Sequence, residues 1–178
     1  GTVTRLAPQK APLDFLAMAN HIAEWRPDLY YVLVGDGPLR PEIDLSVARS
    51  KVAPHFRVTG LRRDVPDLMH SFDIFALTSL WEGLPRVLPQ AMAAGLPIVA
   101  TAADGNAEAI IDGESGFLTP PGKPKLQAHA VLRLVETPGL IQQMGAAGRA
   151  RAQTFSAHQM VEDIATLYED LLNKKGIL

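Results

Sequence analysis

Three stretches of this sequence set charged and glycine residues where a small anionic ligand could be held. The first is Arg5-Leu6-Ala7-Pro8-Gln9-Lys10, two cations flanking a turn that follows a short apolar run. A guanidinium grips phosphate as a planar fork and an ammonium as a compact charge. Two solvated surface cations would have the same spacing. The second stretch is Gly35-Asp36-Gly37, where glycine serves either a ligand's close approach or simply a tight turn. The third runs from Thr78 to Thr101. In it Glu82 precedes a helix expected to begin at Pro85-Arg86, and backbone amides at a helix start lack internal partners and favour anions. A pyrophosphate or a sugar hydroxyl fits there, with Glu82 as an acceptor, although a charge complementing the helix dipole would also account for Glu82. Arg86 and Gln90, four residues apart, share a face different from that of Val87, Leu88, Ala91 and Met92.

Bulk properties narrow the chemistry. The chain has 178 residues, 47% hydrophobic and 20% charged, as expected for one packed domain. A net charge of −2 gives no global field for nucleic acid or anionic lipid. There is no cysteine, which removes disulfide, thiolate and Cys-zinc chemistry. The five histidines are scattered without metal-ligand spacing, and no Asp-x-Asp pair exists to hold a metal and a diphosphate. No metal and no cofactor are therefore expected. No apolar run is long enough to span a bilayer. The absence of a leader and the strand at the first residues suggest a piece of a longer protein. The expected compartment is cytoplasmic, with the full-length protein at a membrane periphery as an option.

The elements that must position these residues alternate. Strands are expected over 2–6, 29–34, 56–59, 74–77, 97–100 and 116–119. Helices are expected over 12–25, 39–50, 65–70, 85–95, 107–111, 125–135, 139–152 and 157–172. Period-3.6 stripes such as Phe15, Met18, Ala19 and Ile22 separate apolar, β-branched strands. This alternation predicts an α/β, Rossmann-like, doubly wound parallel sheet with C-terminal helices, forming one domain over 1–178. Ligands of such sheets sit outside the carboxyl ends of the strands, where all three stretches fall. Without a G-x-G-x-x-G after the first strand, the pattern speaks against a dinucleotide enzyme.

With the elements in place, the segment Ser79, Glu82, Gly83, Leu84, Pro85, Ala91, Ala94, Gly95, Pro97, Val99 resembles the signature of the retaining, group 1 (family-4-type) glycosyltransferases of the GT-B architecture. Arg5-Leu6 with Lys10 resembles the family's phosphate loop, and Val34 to Gly37 its second-strand turn. Phe56 to Gly60 resembles the strand before its base site. Glu108, Asp112-Gly113 and Gly116 to Leu118 resemble the run after its fifth strand.

The resemblance implies the donor-binding half of a GT-B enzyme, with an N-terminal acceptor domain lying outside this chain. It implies a UDP-, GDP- or ADP-linked sugar as substrate and metal-independent transfer of a hexose. Arg5 and Lys10 would bind the diphosphate. Glu82 would contact the sugar, helped by the amides of Gly83, Leu84, Pro85-Arg86. Gly35, Gly37, Gly60, Gln90, Asp104 and Glu108 would complete the donor site.

The family places a second Glu where this chain has Gln90. An amide offers one acceptor oxygen and a donor NH₂ instead of two acceptor oxygens, so ribose recognition is expected to be weaker by about 1 kcal/mol. The family's Gly-Gly pair is replaced at Ala103 to Asn106, which predicts a loop less able to take left-handed angles. Gln90 also feeds a rival reading, a non-catalytic relative serving as a binding or regulatory domain. A sugar-nucleotide epimerase or a phosphorylase of the same architecture are further alternatives, although no lysine is marked out for pyridoxal phosphate. Trp81 is expected as a partly buried packing aromatic, Arg62 and Arg63 as a solvated basic turn. Met160, Ile164, Leu167, Tyr168 and Leu171 are expected as an amphipathic packing stripe; by resemblance the last helix crosses back toward the acceptor domain, so part of this stripe is expected to be exposed in this chain.

Overall fold

A computed structural model describes residues 1–176. Six strands are present: β1 Thr2–Val3, β2 Tyr31–Val34, β3 Phe56–Gly60, β4 Phe75–Leu77, β5 Ile98–Thr101 and β6 Gly116–Thr119. Eight α-helices accompany them: α1 Pro12–Ile22, α2 Arg40–Ala48, α3 Val65–Met69, α4 Val87–Ala93, α5 Gly105–Ala109, α6 Pro124–Glu136, α7 Leu140–Ala152 and α8 Ala157–Lys174. The strands form two parallel three-stranded sheets, β1-β2-β3 and β4-β5-β6. They meet where β1 lies beside β4. There the Ala76 amide donates to Gly1 O at 2.9 Å and the Gly1 amino group to Ile74 O at 2.8 Å. Strand order reverses at this seam.

Successive strand residues face opposite layers, and here both layers are apolar. Leu33, Ala76 and Val99 join a core with Phe15 and Ile22 of α1, Ile43 of α2 and Val131 of α6. Their neighbours Val34, Leu77 and Ala100 join a second core with Met69 of α3, Leu88 and Met92 of α4 and Ala109 of α5. The predicted stripe Phe15, Met18, Ala19 and Ile22 is buried throughout.

Several element ends differ from the expectations. β1 stops at Val3, because beyond Thr4 the chain bonds to the turn after β2 rather than to a strand. α4 starts at Val87, not Pro85: residues 83–85 are irregular, and a turn over 85–88, closed by the Leu88 amide on Pro85 O at 3.0 Å, leads into the helix. The end of α4, at Ala93 to Gly95, lies close against α7. A Cβ on Gly145 would lie 2.1 Å from Gly95 O, and Arg149 caps the end of α4 through Ala94 O at 3.0 Å.

The stripe on α8, expected to be exposed in part, is exposed along its whole length. Met160, Val161, Ile164, Leu167, Tyr168 and Leu171 are all exposed, and α8 has no buried residue. Its apolar face is amphipathic without packing on this domain. Among the described residues no helix is long and apolar enough to cross a membrane.

Candidate functional site

The site lies at the β1/β4 seam, at the carboxyl ends of the strands. After β1 the chain is held by the turn after β2: Thr4 N–H donates to Val34 O, Leu6 N–H to Asp36 O, and Leu39 N–H to Leu6 O, each at 2.9 Å. This backbone contact requires Gly35 and Gly37. A Cβ on Gly35 would lie 1.8 Å from Thr4 O and one on Gly37 2.6 Å from Leu6 O, and both have positive φ (142° and 157°). Gly60 in turn holds Gly35, whose amide donates to Gly60 O at 2.9 Å. The three glycines expected in the donor site therefore brace the loop that carries Arg5.

From the other side of the seam, the loop after β4 is stitched to the same segment. Leu80 N–H donates to Gln9 O at 2.8 Å, and Gln9 Nε2 donates to Trp81 O at 3.0 Å. Thr78 Oγ1 lies 3.0 Å from the carbonyl oxygens of both Lys10 and Ala11. These bonds bring Glu82 beside Lys10. Lys10 Nζ lies 2.6 Å from both carboxylate oxygens, and Ser79 Oγ donates to Oε1 at 2.6 Å. Glu82 is buried, with only 7% of the residue exposed.

The network continues inward. Thr101 Oγ1 donates to Ser79 O at 2.6 Å, and Asn106 Nδ2 donates to Thr101 O at 3.0 Å. A carboxylate offers about four lone-pair directions. Lys10 and Ser79 occupy three, leaving one on Oε2 for a ligand hydroxyl.

A cavity of about 260 Å³ opens at this network. Arg5, Lys10, Glu82, Pro85, Arg86 and Gln90 all line it, with Thr4, whose buried hydroxyl has no partner among the described residues. Lys10 is neutralised by Glu82, whereas Arg5 and Arg86 have no ion-pair partner among the described residues. A larger cavity of about 450 Å³ lies at the amino-terminal ends of the strands, against Phe15, Tyr31, Phe72 and Val131. Its walls are chiefly aliphatic and aromatic, its ionisable side chains are Asp28, Asp73 and two tyrosines, and none of the expected donor-site residues lines it.

The remaining expected residues do not line the smaller cavity. Gly83 and Leu84 are exposed in the turn above α4. That turn rests on α5: a Cβ on Gly105 would lie 1.8 Å from Gly83 O. Asp104 and Glu108 are exposed at α5, whose end is held by Arg151 through the carbonyls of Glu108 and Ala109 at 2.6 Å.

In the loop expected to be less free to take left-handed angles, Asp104 has a positive φ of 23° with ψ −110°, outside the left-handed helical region. Trp81 overturns the packing expectation: it is 53% exposed. Arg62 is committed to exposed Asp64 at 2.8 Å, in keeping with a basic surface turn. Ser79 and Gln9 were not singled out from the sequence as functional. Ser79 had a signal in the S-x-x-E spacing, which lets a hydroxyl meet a carboxylate three residues on. Gln9 had none.

The family model described as "Glycosyl transferases group 1" matches residues 1–137. The chain belongs to this family. An Escherichia coli relative named UDP-Gal:alpha-D-GlcNAc-diphosphoundecaprenol alpha-1,3-galactosyltransferase is 30% identical over 176 residues, covering 97% of this chain and 46% of the relative. A Salmonella typhi Vi polysaccharide biosynthesis protein is 36% identical over 118 residues, covering 66% of this chain and 20% of the relative. Among solved structures, Anabaena HepE in complex with UDP superposes with a TM-score of 0.89 at 28% identity, covering 96% of this chain and 48% of that one. The same protein has been solved with UDP-glucose. The chain spans about half the length of the E. coli relative and of HepE, and a fifth of the Salmonella protein. The fold is thus that of a GT-B half, and the glycosyltransferase motifs lie on the elements around the seam.

Proposed function

We propose that this chain binds a nucleotide-diphosphate sugar, as the donor half of a retaining glycosyltransferase that moves a hexose to an acceptor. The observation that carries this reading is the cavity at the β1/β4 seam that gathers Arg5, Lys10, Glu82, Arg86 and Gln90. Arg5 takes the diphosphate as a fork. Lys10, held by Glu82 through two of its three N–H groups, donates the third to the diphosphate. The free lone pair of Glu82 accepts from a sugar hydroxyl, and the turn amides of Gly83 to Arg86 assist. As the sugar departs, negative charge grows on the diphosphate, and preorganised cations stabilise it most at that stage. These cations and the lack of an Asp-x-Asp pair favour charge neutralisation without a metal. Asp104 and Glu108 border the sugar from α5, and the acceptor comes from a part of the protein beyond this chain. The UDP and UDP-glucose complexes of HepE favour uridine as the base.

Calorimetric titration with UDP, GDP and ADP tests the reading. One diphosphate, with UDP foremost, should bind more tightly than its monophosphate. A folded sample, in this chain and in the longer protein, that binds none would overturn it.

Gln90 favours a second reading, a binding domain without transferase activity, and the two part at the longer protein. Transfer of sugar from the bound donor decides against the second. Titrated with uridine, which reports the ribose contact without the phosphates, Gln90→Glu should bind about fivefold more tightly, because a hydrogen bond to a charged acceptor gains about 1 kcal/mol over a neutral one. An unchanged or weaker affinity in the same titration would show that Gln90 is not the ribose contact.

A further inference from the structure

We infer that the guanidinium of Arg86 is a third diphosphate-binding group in this chain, made available by Gln90. The inference rests on the donor-site reading above. It starts from the charges around the cavity. Three cations and one carboxylate line it, and the carboxylate, Glu82, is spent on Lys10 with both oxygens at 2.6 Å. Arg5 and Arg86 remain, both exposed, neither paired among the described residues. The cavity therefore carries two unopposed positive charges. A nucleotide-diphosphate sugar brings one negative charge on each phosphoryl group, so the pocket and the diphosphate neutralise each other.

Position 90 decides whether Arg86 is free. Arg86 and Gln90 stand one helical turn apart at the start of α4, with the Gln90 amide within 3.4 Å of Arg86 O, and both line the same cavity. Side chains four apart on a helix are within pairing reach. A glutamate in place of Gln90, as in the family signature, would compete with the ligand for the Arg86 guanidinium. An amide does not, because it carries no charge. The loss of a carboxylate toward the ribose thus comes with the release of a cation toward the phosphates. Arg86 makes no hydrogen bond to any described side chain, so nothing in the fold requires an arginine there.

The test titrates UDP, UMP and uridine, with the GDP and ADP series alongside, into the wild type, Arg86→Ala, Arg86→Lys, Gln90→Glu and the double variant Arg86→Ala/Gln90→Glu. Arg86→Ala should weaken diphosphate binding about tenfold. It should leave nucleoside affinity and the melting temperature unchanged. Arg86→Lys should recover part of the loss, and added salt should shrink it. The loss on Arg86→Ala should be smaller in the Gln90→Glu background. Diphosphate affinity within about twofold of wild type in Arg86→Ala overturns the inference and leaves the donor-site reading standing. An equal loss for the nucleoside overturns it too, since that marks a change of pocket shape rather than of charge. Equal losses in the wild-type and Gln90→Glu backgrounds overturn the part assigned to Gln90. A wild type that binds no diphosphate overturns both readings together.

Discussion

Replacing Lys10 by alanine is expected to lower the melting temperature by about 6–12 °C and to remove nucleotide-diphosphate binding. The reason is the burial of its partner. Glu82 keeps 5% of its side-chain surface exposed, against 22% for Lys10. Taking the ammonium away leaves a carboxylate in a site that water hardly reaches, with only Ser79 donating to it. Breaking a buried pair on one side costs about 3–5 kcal/mol. The partial exposure of Lys10 puts this pair at the lower end, about 3 kcal/mol.

The companion Lys10→Ala/Glu82→Ala should melt several degrees above Lys10→Ala alone, since no charge is then stranded. Arg5→Ala provides the contrast. Arg5 is exposed and unpaired among the described residues, so its removal should leave the melting temperature alone and weaken diphosphate binding about tenfold or more. Scanning calorimetry with nucleotide titration separates these outcomes. A Lys10→Ala variant as stable as the wild type would show that the ion pair is not formed in solution.

Gly105→Ala is the second large effect. The added methyl would sit 1.8 Å from Gly83 O and 2.4 Å from its carbonyl carbon, both backbone atoms. No rotamer change relieves such a contact. Either α5 moves away or the turn at 83–84 shifts. Over-packing of this kind costs about 1–3 kcal/mol, and a backbone-to-backbone clash belongs at the upper end. Because the displaced turn is the one beside Glu82, diphosphate affinity should fall along with stability. Gly83→Ala is the control: its methyl would meet no atom within 4 Å, and Gly83 has no positive φ, so stability should be preserved. Urea denaturation compares the two. Equal midpoints for Gly105→Ala and the wild type would mean that the close approach of α5 to the turn is not a feature of the native fold.

Much of this molecule was legible in its sequence, for reasons that differ between elements. The strands β2, β4, β5 and β6 are short runs rich in Val, Ile, Leu, Phe and Ala, with nearly every residue buried. A residue type that favours strand and a position that demands burial agree there, so local reading suffices. The stripe of α1 was equally direct, since period 3.6 mirrors one buried face. Arg5, Lys10, Glu82 and Gln90 were marked by their types, by their place after apolar runs and by resemblance, and the fold does bring them to one cavity.

The start of α4 was misread because Pro85 suits a helix start but also suits the turn found there. The α8 stripe was legible as an amphipathic face, but the extent of its exposure was not, because such spacing records that a face seeks cover and not whether this domain supplies it. Gly35, Gly37 and Gly60 could be placed near the site by pattern. That Gly35 and Gly37 press against the Arg5 loop, with Gly60 behind Gly35, depends on segments some thirty residues apart lying so close that a Cβ on Gly35 would be 1.8 Å from Thr4 O.

By itself, then, the sequence determined the alternation of elements, the two-sided core and the residue types available for chemistry, because these follow from local propensity and hydrophobic period. Only the tertiary structure decided that Lys10 is spent on Glu82, that Ser79 and Gln9 hold that pair in place, and that Arg5 and Arg86 are left without a partner among the described residues. The residues of β1 and β4 are some seventy positions apart and meet only because strand order reverses at their seam. Charge pairing across that seam is a property of distance in space, which spacing along the chain does not encode.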